Sequence, residues 1–192
     1  MAGTYPTTPE FQAINLESKH SNLMSETVSG RQQVRTLGGQ RWAFTAKYNP
    51  MTRAEFQPVF AFVMSQQGRF GTFTIVPPVI GSASGTVSGT LSASGAASVG
   101  ATSVDVDGIT GTLKAGDFVK FTSHSKVYMV VTDRAGAGSM TIEPPLVSAV
   151  ADNETVTYDS VSFTMRLNND VQSYSLSANE FYEYEIDLIE VL

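Results

Sequence analysis

Three segments of this chain alternate apolar and polar side chains with a period of two, and they sit near its two ends. In the first, Trp42, Phe44, Ala46 and Tyr48 alternate with Arg41, Ala43, Thr45 and Lys47. In the second, Val161, Phe163, Met165 and Leu167 alternate with Ser162, Thr164 and Arg166. In the third, Tyr182, Tyr184, Ile186 and Leu188 alternate with Glu183, Glu185 and Asp187. A period of two is that of a strand with one face buried and one face wet. The fold is therefore expected to be mainly β, and the long interval between the first strand and the other two has to be accommodated.

That interval begins with a helix. Asn49-Pro50 ends the first strand, and Thr52 followed by Glu55 fits the capping box that opens a helix. Behind it Phe56, Val59, Phe60 and Val63 fall at i, i+3, i+4 and i+7, one face of a helix that Gly68 stops. Pro58 lacks an amide donor inside this pattern, so a kink or two successive turns is expected there. Gly71–Val76 reads as a strand closed by Pro77-Pro78. Before the first strand, residues 1–40 are turn-rich, with short extended pieces at Phe11–Leu16 and Gln32–Leu37. Gly38-Gly39 reads as the turn of a hairpin joining the second piece to the Trp42 strand.

Composition then changes. Residues 81–102 are nearly all Gly, Ser, Ala and Thr, the composition of a flexible linker. Val87, Gly89, Leu91 and Ala93 nevertheless alternate with polar neighbours, and a linker and a thin strand are equally compatible with that segment. From 103 to 146 short strands follow one another: Ser103–Val106, Asp117–Phe121, Lys126–Thr132 and Met140–Ile142, with Pro144-Pro145 ending the last. Short strands separated by Gly turns predict a small barrel or sandwich. The expected organisation is a discontinuous, β-sandwich-like domain from residues 1–79 and 159–192, with residues 80–158 inserted as a small β-barrel.

Bulk properties narrow the function classes. Charged residues make up 16 % of the 192 residues and the formal net charge is −6, with no run of Lys or Arg. Tight nucleic-acid binding needs clustered cations, so it is disfavoured. The absence of cysteine removes disulfides and thiolate chemistry. The start, Met1 to Pro6, has no cationic region followed by an apolar one, and no apolar stretch approaches the ~20 residues of a membrane span. Synthesis in a cytoplasm is the expectation.

Catalytic signatures are sparse. His20 and His124 are the two histidines, both expected in loops, and no HxH or HExxH spacing exists to hold a metal. There is no G-x-S-x-G elbow and no phosphate-binding loop among the glycines of 81–111. Gly136 and Gly138 read as a turn. Glu183 and Glu185 share one strand face, ~7 Å apart by the rise per residue, within the range of glycosidase carboxylate pairs. A solvated strand face explains them more simply. Trp42, Tyr48, Phe60, Phe62, Phe70 and Phe73 surround the helix, and core packing accounts for them more simply than a carbohydrate platform. The expected core is Trp42, Val59, Phe60, Val63 and Phe73. No cofactor, metal or catalytic residue is expected.

Residues 113–131 read Leu-Lys-Ala-Gly-Asp-Phe-Val-Lys-Phe-Thr-Ser-His-Ser-Lys-Val-Tyr-Met-Val-Val. This segment resembles one in the distal tail proteins of siphophages, in their compact two-domain branch, where it lies in a small oligonucleotide/oligosaccharide-binding-type barrel. The order of strands, helix, inserted barrel and returning strands is similar too, and Asp187-Leu188-Ile189-Glu190 looks like the family's short C-terminal strand. The resemblance implies a structural virion protein. Its first domain would close a hexameric ring that joins the tail tube to the hub of the tail tip and lets DNA pass, with the barrel outside the ring. Implied partners are further copies of the chain, the tube protein, the hub protein and a side-fibre collar. The alternatives are a binding module that docks a host glycan or the collar through the barrel, and a glycan-cleaving enzyme. Within the ring reading, the acidic face of Glu183, Glu185 and Asp187 is a candidate lining for the DNA lumen, and an outward solvent face fits the periodicity equally well.

Overall fold

The computed structural model describes residues 3–192; Met1 and Ala2, which open the segment read above for a leader, lie outside them. The chain is mainly β, with a single α-helix among the described residues. The strands are β1 (Phe11–Lys19), β2 (Asn22–Glu26), β3 (Gln32–Thr36) and β4 (Arg41–Tyr48), followed by α1 (Arg53–Ser65) and β5 (Phe73–Ile75). Then come β6 (Ser88–Ala93), β7 (Ser103–Thr110), β8 (Thr112–Leu113), β9 (Phe118–Phe121), β10 (Tyr128–Val130), β11 (Arg134–Ala135), β12 (Gly138–Glu143) and β13 (Val156–Thr157). The chain closes with β14 (Phe163–Leu167), β15 (Tyr174–Leu176) and β16 (Tyr182–Glu190).

Two compact units divide these elements: residues 1–73 with 165–191, and residues 74–164. The divisions fall within β5 and β14, whereas the break in composition had suggested 79/80 and 158/159. Residues beyond the composition break still belong to the second unit, because Gly81 donates to Pro77 O and Val161 donates to Gly81 O.

The three alternating segments meet in one sheet, whose order is β1-β4-β16-β14-β5, with β15 also pairing β16; of the second segment, residues 165–167 belong to the first unit. Register places Ile186 opposite Ala46 and Leu188 opposite Phe44, so the apolar faces coincide. Helix α1 is continuous through Pro58. The Glu55 carboxylate accepts from the Thr52 N–H at 2.8 Å and the Thr52 hydroxyl at 2.7 Å, the reach-back half of the expected capping box. These bonds to the charged form hold the Glu55 carboxyl below its ordinary value. Phe56, Val59 and Val63 are buried, as are Trp42 and Phe73.

Two aromatic expectations need correction. Phe60 is only half-buried, stacked on Phe56 and edge-on to Tyr174 and Tyr184 at the rim of the helix face. Phe70 is 81 % exposed, because the short 3₁₀ turn after the helix carries it outward. Tyr5, which the turn-rich reading of the N-terminus passed over, is buried instead. Its hydroxyl meets that of Tyr48 at 3.0 Å, and its ring packs on Phe11, Phe62 and Phe73.

The second unit is a nearly closed, antiparallel barrel-like sheet of six strands in the order β13-β9-β10-β12-β7-β6. The ends approach through a bridge between Ser92 and Thr155. An oligonucleotide-binding-type barrel has five strands; this one has six. Leu91, Val104, Val106, Phe121, Tyr128, Met140, Ile142 and Val156 fill its interior. The Gly/Ser/Ala/Thr segment is resolved in favour of a strand: β6 pairs β7, with a bulge between Gly89 and Ser92. Small residues are required there. A Cβ on Gly108 or Gly111, both at positive φ, would run into the carbonyl oxygens of Thr90 and Thr86 respectively.

Gly38 and Gly39 both have positive φ, but they do not turn a hairpin between β3 and β4. Strand β3 pairs with β2, which the sequence pattern did not show, and β4 pairs with β1 and β16. The glycines form part of the joint between an outer and an inner length of one ribbon.

Candidate functional site

The three acidic residues lie where the alternation places them. Glu183, Glu185 and Asp187 point away from the buried face of β16; Glu183 and Glu185 are exposed, and Asp187 is half-buried. Asp187 accepts from the Thr45 hydroxyl at 2.7 Å and from Asn169 Nδ2 at 3.3 Å. Neither Glu183 nor Glu185 forms an ion pair among the described residues. Beside them the chain from Asn169 to Ser173, between the lengths of β14 and β15 that pair with β16, borders an open groove of about 480 Å³. Lys47, Val171, Gln172 and Ser173 line it together with the acidic residues. Val171 is 83 % exposed, whereas the Tyr174 ring, opposite Tyr184 in register, packs on Phe56, Phe60 and Tyr182 on the other face of the sheet, so the groove is acidic with one apolar side chain at its edge. Nothing encloses Glu183 or Glu185 in apolar surroundings, the setting that keeps a glycosidase acid protonated.

One carboxylate of β16 was missed. Glu190 is fully buried and accepts the Trp42 N–H at 3.1 Å. It shares the parity of Tyr184, Ile186 and Leu188, and carrying the alternation one step further would have located it.

The residues that carry the family resemblance turn out to brace the barrel. Asp117 is buried and accepts from the Lys114 N–H at 2.8 Å, closing the turn at Gly116. Its other oxygen accepts from the Ser84 N–H and hydroxyl at 2.8 and 2.7 Å. His124 is buried too, with Nδ1 at 2.9 Å from the Tyr128 hydroxyl and Nε2 at 3.3 Å from Ala149 O. Tyr128 in turn accepts the Val147 N–H at 3.2 Å. Lys126 is fully buried. His20, by contrast, is exposed and bonded to Ser18 Oγ at 3.0 Å. No group of three or more His, Cys, Asp or Glu able to hold a metal occurs among the described residues.

The most exposed element is the outer ribbon. Every residue from Glu17 to Gly39 is exposed, including Leu23, Met24, Val34 and Leu37 at 58–64 %. Val28 stands fully exposed at the tip. Met24 and Val34 are paired across one face, and Leu23 faces Arg35 across the other. Strands of five residues at ~3.4 Å each make this an arm ~17 Å long before its turn. None of the described helices is long and apolar enough to cross a membrane.

Comparison with known proteins finds no family model and no curated protein that matches this sequence.

Proposed function

We propose that this chain is a structural ring subunit of a phage tail tip. In this reading it is a distal tail protein of the virion whose first unit closes a hexameric ring between tail tube and hub, with a passage for DNA, and it has no turnover of its own. The observation that carries the assembly part is the bare β2–β3 arm. An isolated two-stranded hairpin is marginally stable at best in water. An arm with apolar side chains on both faces gains cover only from a neighbouring chain. The tail-tip part rests on the resemblance of residues 113–131 and on the order of the elements, a first unit interrupted by a six-stranded barrel.

Electron microscopy of the purified protein, alone and with a tube protein, tests the reading. Six-fold rings with an open centre are expected. Particles of monomer size at every protein concentration, with or without the tube protein, overturn it.

A further inference from the structure

We infer that the β2–β3 arm of one copy seats in the acidic groove beside β16 of the next copy, so that the contact runs head to tail. The inference rests on the ring reading and names the two surfaces that would close it.

The two surfaces complement each other in charge and in polarity. The arm, residues 22–36, carries Arg31 and Arg35 against the single carboxylate Glu26, in a chain whose net charge is −6, and the neighbouring Lys19 of β1 is paired with Glu17. Arg31, at the turn, and Arg35, on β3, form no ion pair among the described residues. The groove presents Glu183, Glu185 and Asp187 against the single cation Lys47. Next to its carboxylates stands the exposed Val171. Next to Arg35 on the arm stands the exposed Leu23, directly across the ladder. One face of the arm therefore offers an apolar residue beside a cation, and the groove offers an apolar residue beside carboxylates.

The same charges argue against two arms pairing with each other. Both would be cationic, and like charges across an interface cost affinity. A contact between two different surfaces is heterologous, and repeated it generates either a closed ring or an open filament, whereas a symmetric arm-to-arm contact stops at a dimer. This places Glu183, Glu185 and Asp187 between copies, and not on a lumen wall.

Charge reversal tests the contact, with mass measured by light scattering or sedimentation. Arg31→Glu with Arg35→Glu should raise the dissociation constant of assembly ~100-fold, and Glu183→Arg with Glu185→Arg should do the same. All four residues belong to surface elements, so far-UV circular dichroism and melting temperature serve as the check that each variant folds. Because the reversed arm and the reversed groove again complement each other, an equimolar mixture of the two variants should assemble where neither does alone. Three results overturn the inference and leave the ring standing: wild-type rings with unaltered assembly of both variants, an arm variant that fails while the groove variant assembles normally, or a mixture that stays monomeric. A wild-type protein that is monomeric throughout overturns the ring reading itself.

Discussion

Leu91→Ala decides whether the Gly/Ser/Ala/Thr segment is structure or tether. Leu91 is 1 % exposed and belongs to the barrel interior, where Val104, Val106 and Met140 also lie. Truncation removes about three methylene equivalents, a transfer loss of ~2.4 kcal/mol at ~0.8 kcal/mol each. The cavity left in a closed barrel adds to this, bringing the total to about 3–4 kcal/mol, inside the range measured for buried leucines. Hydrogen exchange is the suitable assay, because the two units need not unfold together and a single global midpoint would mix them. Amides of β7 and β12, read as peptides covering 103–110 and 138–143, should exchange at least ~100-fold faster in the variant, since every 1.4 kcal/mol is tenfold. Trp42 fluorescence reports the first unit in the same sample. A change below ~5-fold in both peptides, about 1 kcal/mol, would refute the placement of Leu91 in a packed core.

Other outcomes follow from the same coordinates. Phe60→Ala should cost ~2 kcal/mol in urea unfolding, less than the 3–5 kcal/mol of a fully buried phenylalanine, because Phe60 is half-buried and loses mainly its contacts to Phe56, Tyr174 and Tyr184. Gly108→Ala should destabilise the barrel by more than ~1 kcal/mol, since it adds strain at positive φ to a clash with Thr90 O; an unchanged barrel melting temperature would contradict it. Burial pushes the Tyr48 hydroxyl up to about 12 and raises that of Tyr5 further. The folded state therefore holds these protons more tightly than the unfolded chain, and stability should be complete below pH ~10 and fall as pH rises toward ~12. Tyr5→Phe with Tyr48→Phe should move alkaline unfolding to higher pH, followed by circular dichroism against the tyrosinate absorbance.

How much of this could be read from residues alone varied with what each segment packs against. The three alternating strands and α1 were legible because a single core imposes its period on them: Trp42, Phe44, Ile186 and Leu188 must all face the same side. Segment 81–102 was ambiguous because composition measures stiffness and ignores clearance. Gly89 within it, and Gly108 and Gly111 across from it, let two backbones approach, so the glycines at these positions have a packing reason. Strands β8, β11 and β13 have two residues each, too few for any period to register. Buried polar groups were the other blind spot. His124 reads as a loop residue, and Asp117 and Glu190 as strand residues with no sign of burial, yet each satisfies backbone or hydroxyl groups inside a unit. A burial pattern based on apolar residues cannot reveal a carboxylate whose partners are N–H groups.

Strand β2 was hidden, and β3 was read as an extended piece but given the wrong partner, for the opposite reason. Asn22–Glu26 and Gln32–Thr36 have no face turned toward their own chain, and all ten of these residues are exposed. Without a core there is no pressure toward alternation, so Leu23 and Met24 sit side by side and leave no periodic trace. Irregular apolar residues in an exposed strand are costly for a monomer, because they present both unpaired edges and hydrophobic surface to water. They become reasonable if the missing face belongs to another copy. The segment least legible as a strand is therefore the one whose pattern points beyond the chain. By the same reasoning, Val171 stands exposed beside the groove, in a stretch that also lacked any period. An exposed cationic arm and an acidic groove on one unit are what a head-to-tail contact requires: each supplies the neighbour that the other lacks within its own chain.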